Sequence, residues 1–332
     1  MRVAVIGAGA FGTSLSGCLA SNGHAVRLWA REPEIVPAVN ERHQNPLYLA
    51  GIPLPAEVIA TDDQAEAVHG AEMVVLAAPS HATRDVAASL KSLLPPNIPI
   101  VTVAKGIENE TLLTMTEVLE DVFPVERHPY LAVLSGPSFA KEVALRLPTA
   151  VTVASLWERL AREVQKAFST DRFRVYTSTD VVGVQLGGAL KNVVAIAAGC
   201  ADGLGFGLNA RAALITRGLA EITRAAVRRG ANPMTLAGLS GLGDLVLTCT
   251  GELSRNRQLG LALGQGVKLS EALKDKRTVA EGVKTATSAV HLADKIGIEL
   301  PIAREVYRIL FEDKPARQAV VDLMTRELKP EF

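Results

Sequence analysis

Aromatic side chains make up only 4% of this 332-residue chain, so its core has to be assembled from Ala, Val, Leu and Ile. Cysteine is scarcer still, with three residues. Cys18, Cys200 and Cys249 lie far apart with no CxxC spacing, which excludes a disulfide framework or a zinc site and fits a reducing compartment. An excess of charge is also missing, since Lys plus Arg and Asp plus Glu both total 35. This balance argues against a general affinity for nucleic acid or an anionic membrane, although a local basic cluster can still hold a phosphate. No apolar run reaches the roughly 18 residues of a spanning helix, because Asp202 interrupts the best candidate, so no stable membrane insertion is expected. The first strand starts at Arg2, which leaves no room for a signal peptide and points to a soluble, cytoplasmic protein. The length suggests two domains, each large enough to fold by burial alone.

What is present begins at once. Residues Arg2 to Ile6 read as a buried strand, Gly7-Ala8-Gly9-Ala10-Phe11-Gly12 follows, and a helix-like run extends from Thr13 to Asn22. This is GxGxxG in its required strand, turn and helix setting. Gly7 makes the tight turn, Gly9 admits a pyrophosphate, and Gly12 lets helix and strand pack closely, so a dinucleotide is the expected ligand. The second strand, Ala25 to Trp29, ends in Ala30-Arg31-Glu32. Glu32 sits about 20 residues past the last motif glycine, where an acid binds the ribose hydroxyls of NAD. Arg31 is suited to the 2′-phosphate of NADP, so both cofactors stay open.

Residues Asn40 to Pro55 carry turn residues without a period and are expected to form a loop, with His43 at the surface. Further strands are expected over Glu72 to Ala78, Ile98 to Val103, Leu131 to Leu134, Ala150 to Ala154 and Phe173 to Thr177. Helix-like segments between them give the alternation of a parallel doubly wound sheet. Ligands of such sheets lie beyond the carboxyl ends of the strands, where Lys105 is found, as a site residue or as an ordinary solvated lysine. After Leu134, Pro137 and Ser138 are expected to open a helix, with Ser138 capping it or offering its hydroxyl to a ligand. Residues 178–180 form the expected boundary. Residues 1–179 thus make a Rossmann-like α/β domain, and residues 180–332, where only helical periodicity continues, an all-α one.

In that second half, Gln185 to Asn209 is almost wholly small or apolar, yet it contains Lys191 followed by Asn192. A buried ammonium is paired, or neutralised, or used for chemistry; the other reading is a lysine snorkelling at a helix edge. The glycines around it leave room for another backbone or a ligand. Gly238 to Thr250 holds one acid, Asp244, in an apolar setting. Ser254 then caps a helix that begins Arg255-Asn256-Arg257, and a helix N-terminus with arginines makes a phosphate site, or a capped surface helix with solvated arginines. Arg277 to Gly282 reads as a short link.

Seven ordered segments resemble the bacterial type of NAD(P)-dependent glycerol-3-phosphate dehydrogenase, almost from end to end. They are GAGAFGT from Gly7, VAKGIE from Val103, LSGPSFAKEV from Leu134, LKNVVAIAAGCADGLGFGLNA from Leu190, GLGDLVLTCT from Gly241, SRN from Ser254 and VAEGV from Val279. The resemblance implies dihydroxyacetone phosphate as substrate, bound between the domains of a homodimeric enzyme that supplies glycerophospholipid synthesis. By it, Lys191 is the proton donor and acceptor, and Lys105, Gly136, Ser138, Asp244, Ser254, Arg255 and Asn256 surround the substrate. Gly7, Gly9, Ala10, Phe11, Gly12, Arg31, Lys105, Ala140, Arg255, Val279 and Glu281 line the NAD or NADP, and no metal is implied. Many members carry Ser where this chain has Ala10, so a hydroxyl contact near the pyrophosphate is absent here.

The reaction so implied is hydride transfer to the C2 carbonyl, giving sn-glycerol 3-phosphate, with Lys191 stabilising and protonating the developing oxyanion. Lys105 is expected to orient the carbonyl, Asp244 to hold one lysine, and Arg255 and Asn256 to bind the phosphate. Two rivals remain. One is a related dehydrogenase of nucleotide sugars or hydroxy acids with Cys249 as nucleophile, although no histidine lies nearby to activate it. The other is a cofactor sensor without turnover, which has no need of a buried lysine and a phosphate site.

Overall fold

The structure is a computed structural model that describes residues 1–274, 280–328 and 330–331. Eight strands form one sheet: β1 (Arg2–Ile6), β2 (Ala25–Trp29), β3 (Val58–Thr61), β4 (Met73–Leu76), β5 (Ile100–Thr102), β6 (Leu131–Ser135), β7 (Thr149–Ala154) and β8 (Phe173–Ser178). Their order is β3-β2-β1-β4-β5-β6-β7-β8. The first six run parallel with β1 central, Val5 lying opposite both Leu28 and Val75. β7 turns back antiparallel to β6, and β8 is parallel to β7, so the sheet is mixed rather than wholly parallel.

Alternating residues of β1 serve two separate cores, which explains why Val3 to Ile6 are apolar without interruption rather than at every second position. Val3 and Val5 pack with Leu15, Leu19 and Leu28 on one face. Ala4 and Ile6 pack with Val74, Leu76 and Leu90 on the other. Three local expectations need correction. β3 was not expected; it is a four-residue edge strand, too short for its alternation to stand out. The expected loop from Asn40 begins inside a helix, Ile35–Arg42, which closes with His43 in the left-handed region at φ 50°. Ser138 caps no helix: the helix Ala140–Ala144 starts two residues later, with Phe139 at its N-cap.

Two compact units emerge, Met1–Glu108 with Leu113–Gln185, and Asn109–Leu112 with Leu186–Phe332. The division falls inside the 23-residue helix Val181–Gly203. Gln185 belongs to the sheet unit because its amide donates to the Thr116 hydroxyl at 2.8 Å and accepts from the Thr116 backbone N–H at 2.8 Å.

Every described regular element of the second unit is a helix. Val181–Gly203 is long and apolar enough to cross a membrane by composition alone, contrary to the reading that Asp202 breaks it. With 83% of its most apolar window buried inside the protein, it is a core helix. It crosses the helix Arg255–Gly264 glycine on glycine. A Cβ on Gly199 or Gly203 would lie 2.1 or 2.4 Å from the carbonyl oxygens of Arg257 or Leu261. One on Gly260 or Gly264 would lie 2.0 or 2.3 Å from those of Ile196 or Cys200. Backbones can approach this closely only where side chains are absent. Elsewhere, the buried carboxylate of Glu221 accepts the Ile302 and Ala303 backbone N–H groups at 2.7 and 3.3 Å, at the start of the helix Pro301–Phe311.

Candidate active site

In the sheet unit the three motif glycines have three different surroundings. Gly7 has φ +121°, and a Cβ there would lie 2.8 Å from the Ala77 carbonyl oxygen. On Gly12 it would lie 2.0 Å from the Gly7 carbonyl oxygen, which is why turn and helix can close up. On Gly9 it would meet nothing within 4 Å. The opening over Gly9 adjoins the start of the helix Ala10–Ser21, whose N-cap carries no side-chain cap. Free amides and open space are what a pyrophosphate requires, so these residues fit a dinucleotide. Ala10 and Phe11 are half-buried beside it. Ala140 is tied to the same helix, since the Ser14 hydroxyl lies 2.7 Å from both the Ala10 and the Ala140 carbonyl oxygens.

At the end of β2, Arg31 is exposed and donates to Glu32 at 2.8 Å. The Tyr48 hydroxyl donates to the same carboxylate oxygen at 3.1 Å. Burial pushes the Glu32 carboxyl up, but the hydrogen bonds from Arg31 and Tyr48 outweigh it and hold the group below the ordinary range. Sequence reasoning missed Tyr48, which sat in the expected loop.

Beyond β5 and β6, the Lys105 ammonium donates to the Gly136 carbonyl at 2.8 Å, and the Ser138 hydroxyl donates to the same oxygen at 2.9 Å. Three expected site residues therefore form one cluster. Gly136 has φ +142°, and a Cβ on it would lie 2.9 Å from Val151 Cα, so only glycine presents its carbonyl this way.

In the helical unit, Lys191 does not snorkel. It is 6% exposed, and its Nζ donates to Asp244 Oδ1 at 2.5 Å and to Thr248 Oγ1 at 2.7 Å. Asp244 is 0% exposed. The Thr248 hydroxyl donates in turn to the Asp244 backbone carbonyl at 2.6 Å, so its oxygen is turned to accept from the ammonium. Asp244 and Thr248 lie four residues apart on the helix Asp244–Thr250 and share a face. A π-helical turn, Leu239–Gly243, feeds that helix, and it can lie against the lysine-bearing helix because Gly187 has no side chain: a Cβ there would lie 2.5 Å from the Ser240 carbonyl oxygen. Thr248, within the quoted GLGDLVLTCT segment, was not singled out from sequence; its i, i+4 spacing from Asp244 was the available signal.

Asn192, next to the lysine, accepts from the Asn256 amide at 3.0 Å, and Asn256 accepts from the Gly282 backbone N–H at 3.0 Å. A buried polar chain thus joins the helices Val181–Gly203, Arg255–Gly264 and Glu281–Ile296. Ser254 caps the second of these, accepting from the Arg257 N–H at 3.2 Å.

Sequence and structure comparisons place the chain in a family. Residues 2–161 match the N-terminal part of the NAD-dependent glycerol-3-phosphate dehydrogenase family, and residues 180–321 match its C-terminal part. The chain belongs to that family. It is 66% identical over its full length to the glycerol-3-phosphate dehydrogenase [NAD(P)+] of Myxococcus xanthus, covering 99% of that protein. It is 57% identical to the enzyme of the same name from Anaeromyxobacter dehalogenans, with both chains fully covered. The crystal structure of glycerol-3-phosphate dehydrogenase from Coxiella burnetii matches with a TM-score of 0.92 at 41% identity, covering 98% of this chain and 99% of that one. The protein is therefore an oxidoreductase of the glycerol-3-phosphate dehydrogenase family that uses NAD(P).

Within the dehydrogenase the two arginines beside Ser254 differ. The Arg255 side chain is exposed and makes no hydrogen bond or ion pair among the described residues. Arg257 holds Asp202 through Nε and Nη2, both at 2.8 Å, and Arg211 reaches the other carboxylate oxygen at 2.6 Å. Arg257 is thus committed to structure, whereas Arg255 is available. Glu281 is half-buried at the start of its helix, and Val279 lies outside the described residues. Cys249 is 0% exposed, and burial pushes its thiol up to about 12, so it is no nucleophile for this dehydrogenase.

Proposed function

We propose that the chain reduces dihydroxyacetone phosphate to sn-glycerol 3-phosphate, reversibly, with Lys191 giving the proton to the C2 oxygen. Bound NAD(P)H supplies the hydride. As the carbonyl becomes an alkoxide, the Lys191 ammonium stabilises the growing negative charge and then passes its proton to that oxygen; solvent returns a proton to the amine. In the oxidative direction the neutral amine takes the proton back. The observation that carries this reading is the buried ammonium held by Asp244 and Thr248. An ammonium out of water is tolerated because the carboxylate neutralises it, and two fixed partners limit where it can point.

Lys105, supported by the Gly136 carbonyl, orients the substrate, and Ser138 keeps that carbonyl in place. Arg255 and the free amides at the start of its helix bind the phosphate, with Ser254 and Asn256 shaping that helix end. Binding energy taken from the phosphate is used to hold C2 in reacting position. Gly7, Gly9, Ala10, Phe11 and Gly12 hold the pyrophosphate, Arg31 and Glu32 the adenosine end, and Ala140 and Glu281 lie further along the dinucleotide. The reading includes a cytoplasmic homodimer, supported for the compartment by three free cysteines and tested for assembly by light scattering. Its direct test is continuous oxidation of NADH or NADPH by the purified chain. Oxidation that depends on dihydroxyacetone phosphate and yields equimolar sn-glycerol 3-phosphate supports the reading; none with either cofactor would end it.

A further inference from the structure

We propose that Asn45 is a positioning residue for the dinucleotide, acting through the Ala8 carbonyl to set the direction of the Gly9 amide. The inference rests on the reading that the glycine turn holds the pyrophosphate. Asn45 lies in the segment after the helix Ile35–Arg42 and is 0% exposed. Its Nδ2 donates to the Ala8 carbonyl at 2.8 Å and to Thr13 Oγ1 at 2.8 Å. Thr13 Oγ1 donates to the same Ala8 carbonyl at 3.1 Å. The other end of the Asn45 amide, Oδ1, accepts the Tyr48 backbone N–H at 3.3 Å.

The Ala8 carbonyl and the Gly9 N–H belong to one planar, trans peptide unit, so they point in opposite directions. Two donors draw the Ala8 oxygen into the buried interior. The Gly9 N–H is thereby turned the other way, and the space over Gly9 is the part of the turn where a Cβ would meet nothing within 4 Å. Thr13 also fixes the far side of the residue, its backbone N–H donating to the Gly9 carbonyl at 2.9 Å. Asn45 need never touch the cofactor to matter. Its effect is that the amide is aimed before the ligand arrives, so binding does not have to reorganise the turn. The side chain must donate twice on one end and accept on the other. An amide of this length does both, whereas a carboxylate cannot donate.

The test is calorimetric titration of the full chain with NADH, NADPH and ADP-ribose, which share the pyrophosphate, alongside the thermal midpoint of the cofactor-free protein. For Asn45→Ala the expected result is dissociation constants weakened about tenfold or more for all three ligands, a size typical of losing a buried hydrogen-bond donor. Thr13→Val, which removes the second donor to the same carbonyl, should weaken all three in the same direction by a smaller factor, and it decides the matter if Asn45→Ala does not fold. A purely structural asparagine would lower the midpoint and leave the folded protein's dissociation constants unchanged. That outcome, in wild-type-like binders, would overturn the role of Asn45 while sparing the glycine-turn reading. Failure of the wild type to bind any of the three ligands would overturn both.

Discussion

The Lys191 ammonium and the Asp244 carboxylate lie 2.5 Å apart with almost none of either residue exposed. Breaking such a pair from one side leaves a charge with neither water nor partner. Asp244→Ala should therefore lower the unfolding free energy by about 3–5 kcal/mol, whereas Lys191→Met with Asp244→Leu should restore much of it without restoring turnover. Urea unfolding of the three proteins checks this. Equal stability of Asp244→Ala and wild type would mean the pair is not buried in solution.

Arg255 and Arg257 are neighbours on one helix with opposite expected phenotypes. Arg255→Ala should raise the KM for dihydroxyacetone phosphate and leave the thermal midpoint nearly unchanged, because the side chain is exposed and has no described partner. Arg257→Ala should lower the midpoint, since Asp202 Oδ2 loses both of its guanidinium contacts. Steady-state kinetics and a melting curve on each variant would reveal any exchange of these roles.

Gly260→Ala should be strongly destabilising even though Ala is the better helix former by about 1 kcal/mol. The added methyl would lie 2.0 Å from the Ile196 carbonyl oxygen, which is backbone and cannot rotate away. The helices would have to separate, at a cost of about 1–3 kcal/mol or more. A midpoint at or above wild type would contradict the close crossing.

Glu221 gives stability a pH dependence. Burial pushes its carboxyl up to about 7, with the Ile302 and Ala303 amides opposing the shift. The unfolded chain has the ordinary value of about 4.3, so between these values the folded state binds the extra proton. The stabilisation is complete below about pH 4.3 and is lost as pH rises through about 7, on the order of 3 kcal/mol in all. Glu221→Gln removes the titration, so its stability relative to wild type should rise between about pH 4.3 and about pH 7 and level off above that. Chemical denaturation across that range would show parallel profiles if the carboxyl were not shifted.

Much of the sheet unit could be read in advance because its signals are local. GAGAFG after RVAVI has a fixed meaning for the backbone, and buried parallel strands read as apolar runs. β3 was lost because four residues at an edge carry too little pattern, and the reversal of β7 depends on pairing, which no local pattern encodes. For the site, Lys191 stood out as a charge among apolar neighbours. Asp244 was expected to hold one of the two lysines, Lys105 or Lys191, and only the packing of distant helices assigned it to Lys191. Asn45 was invisible for the same reason, since an isolated Asn carries no periodic signal, and Thr248 offered only its i, i+4 spacing from Asp244; the importance of each arises from which carbonyl or amine the fold brings to it.

The most direct test of the account is the turnover of Lys191→Ala with saturating NADH and dihydroxyacetone phosphate, measured with the NADH dissociation constant of the same protein. The account predicts a rate lower by roughly 10² to 10⁴ with cofactor binding intact, the range expected for loss of a general acid. Turnover at the wild-type rate by a folded, NADH-binding Lys191→Ala protein would contradict it.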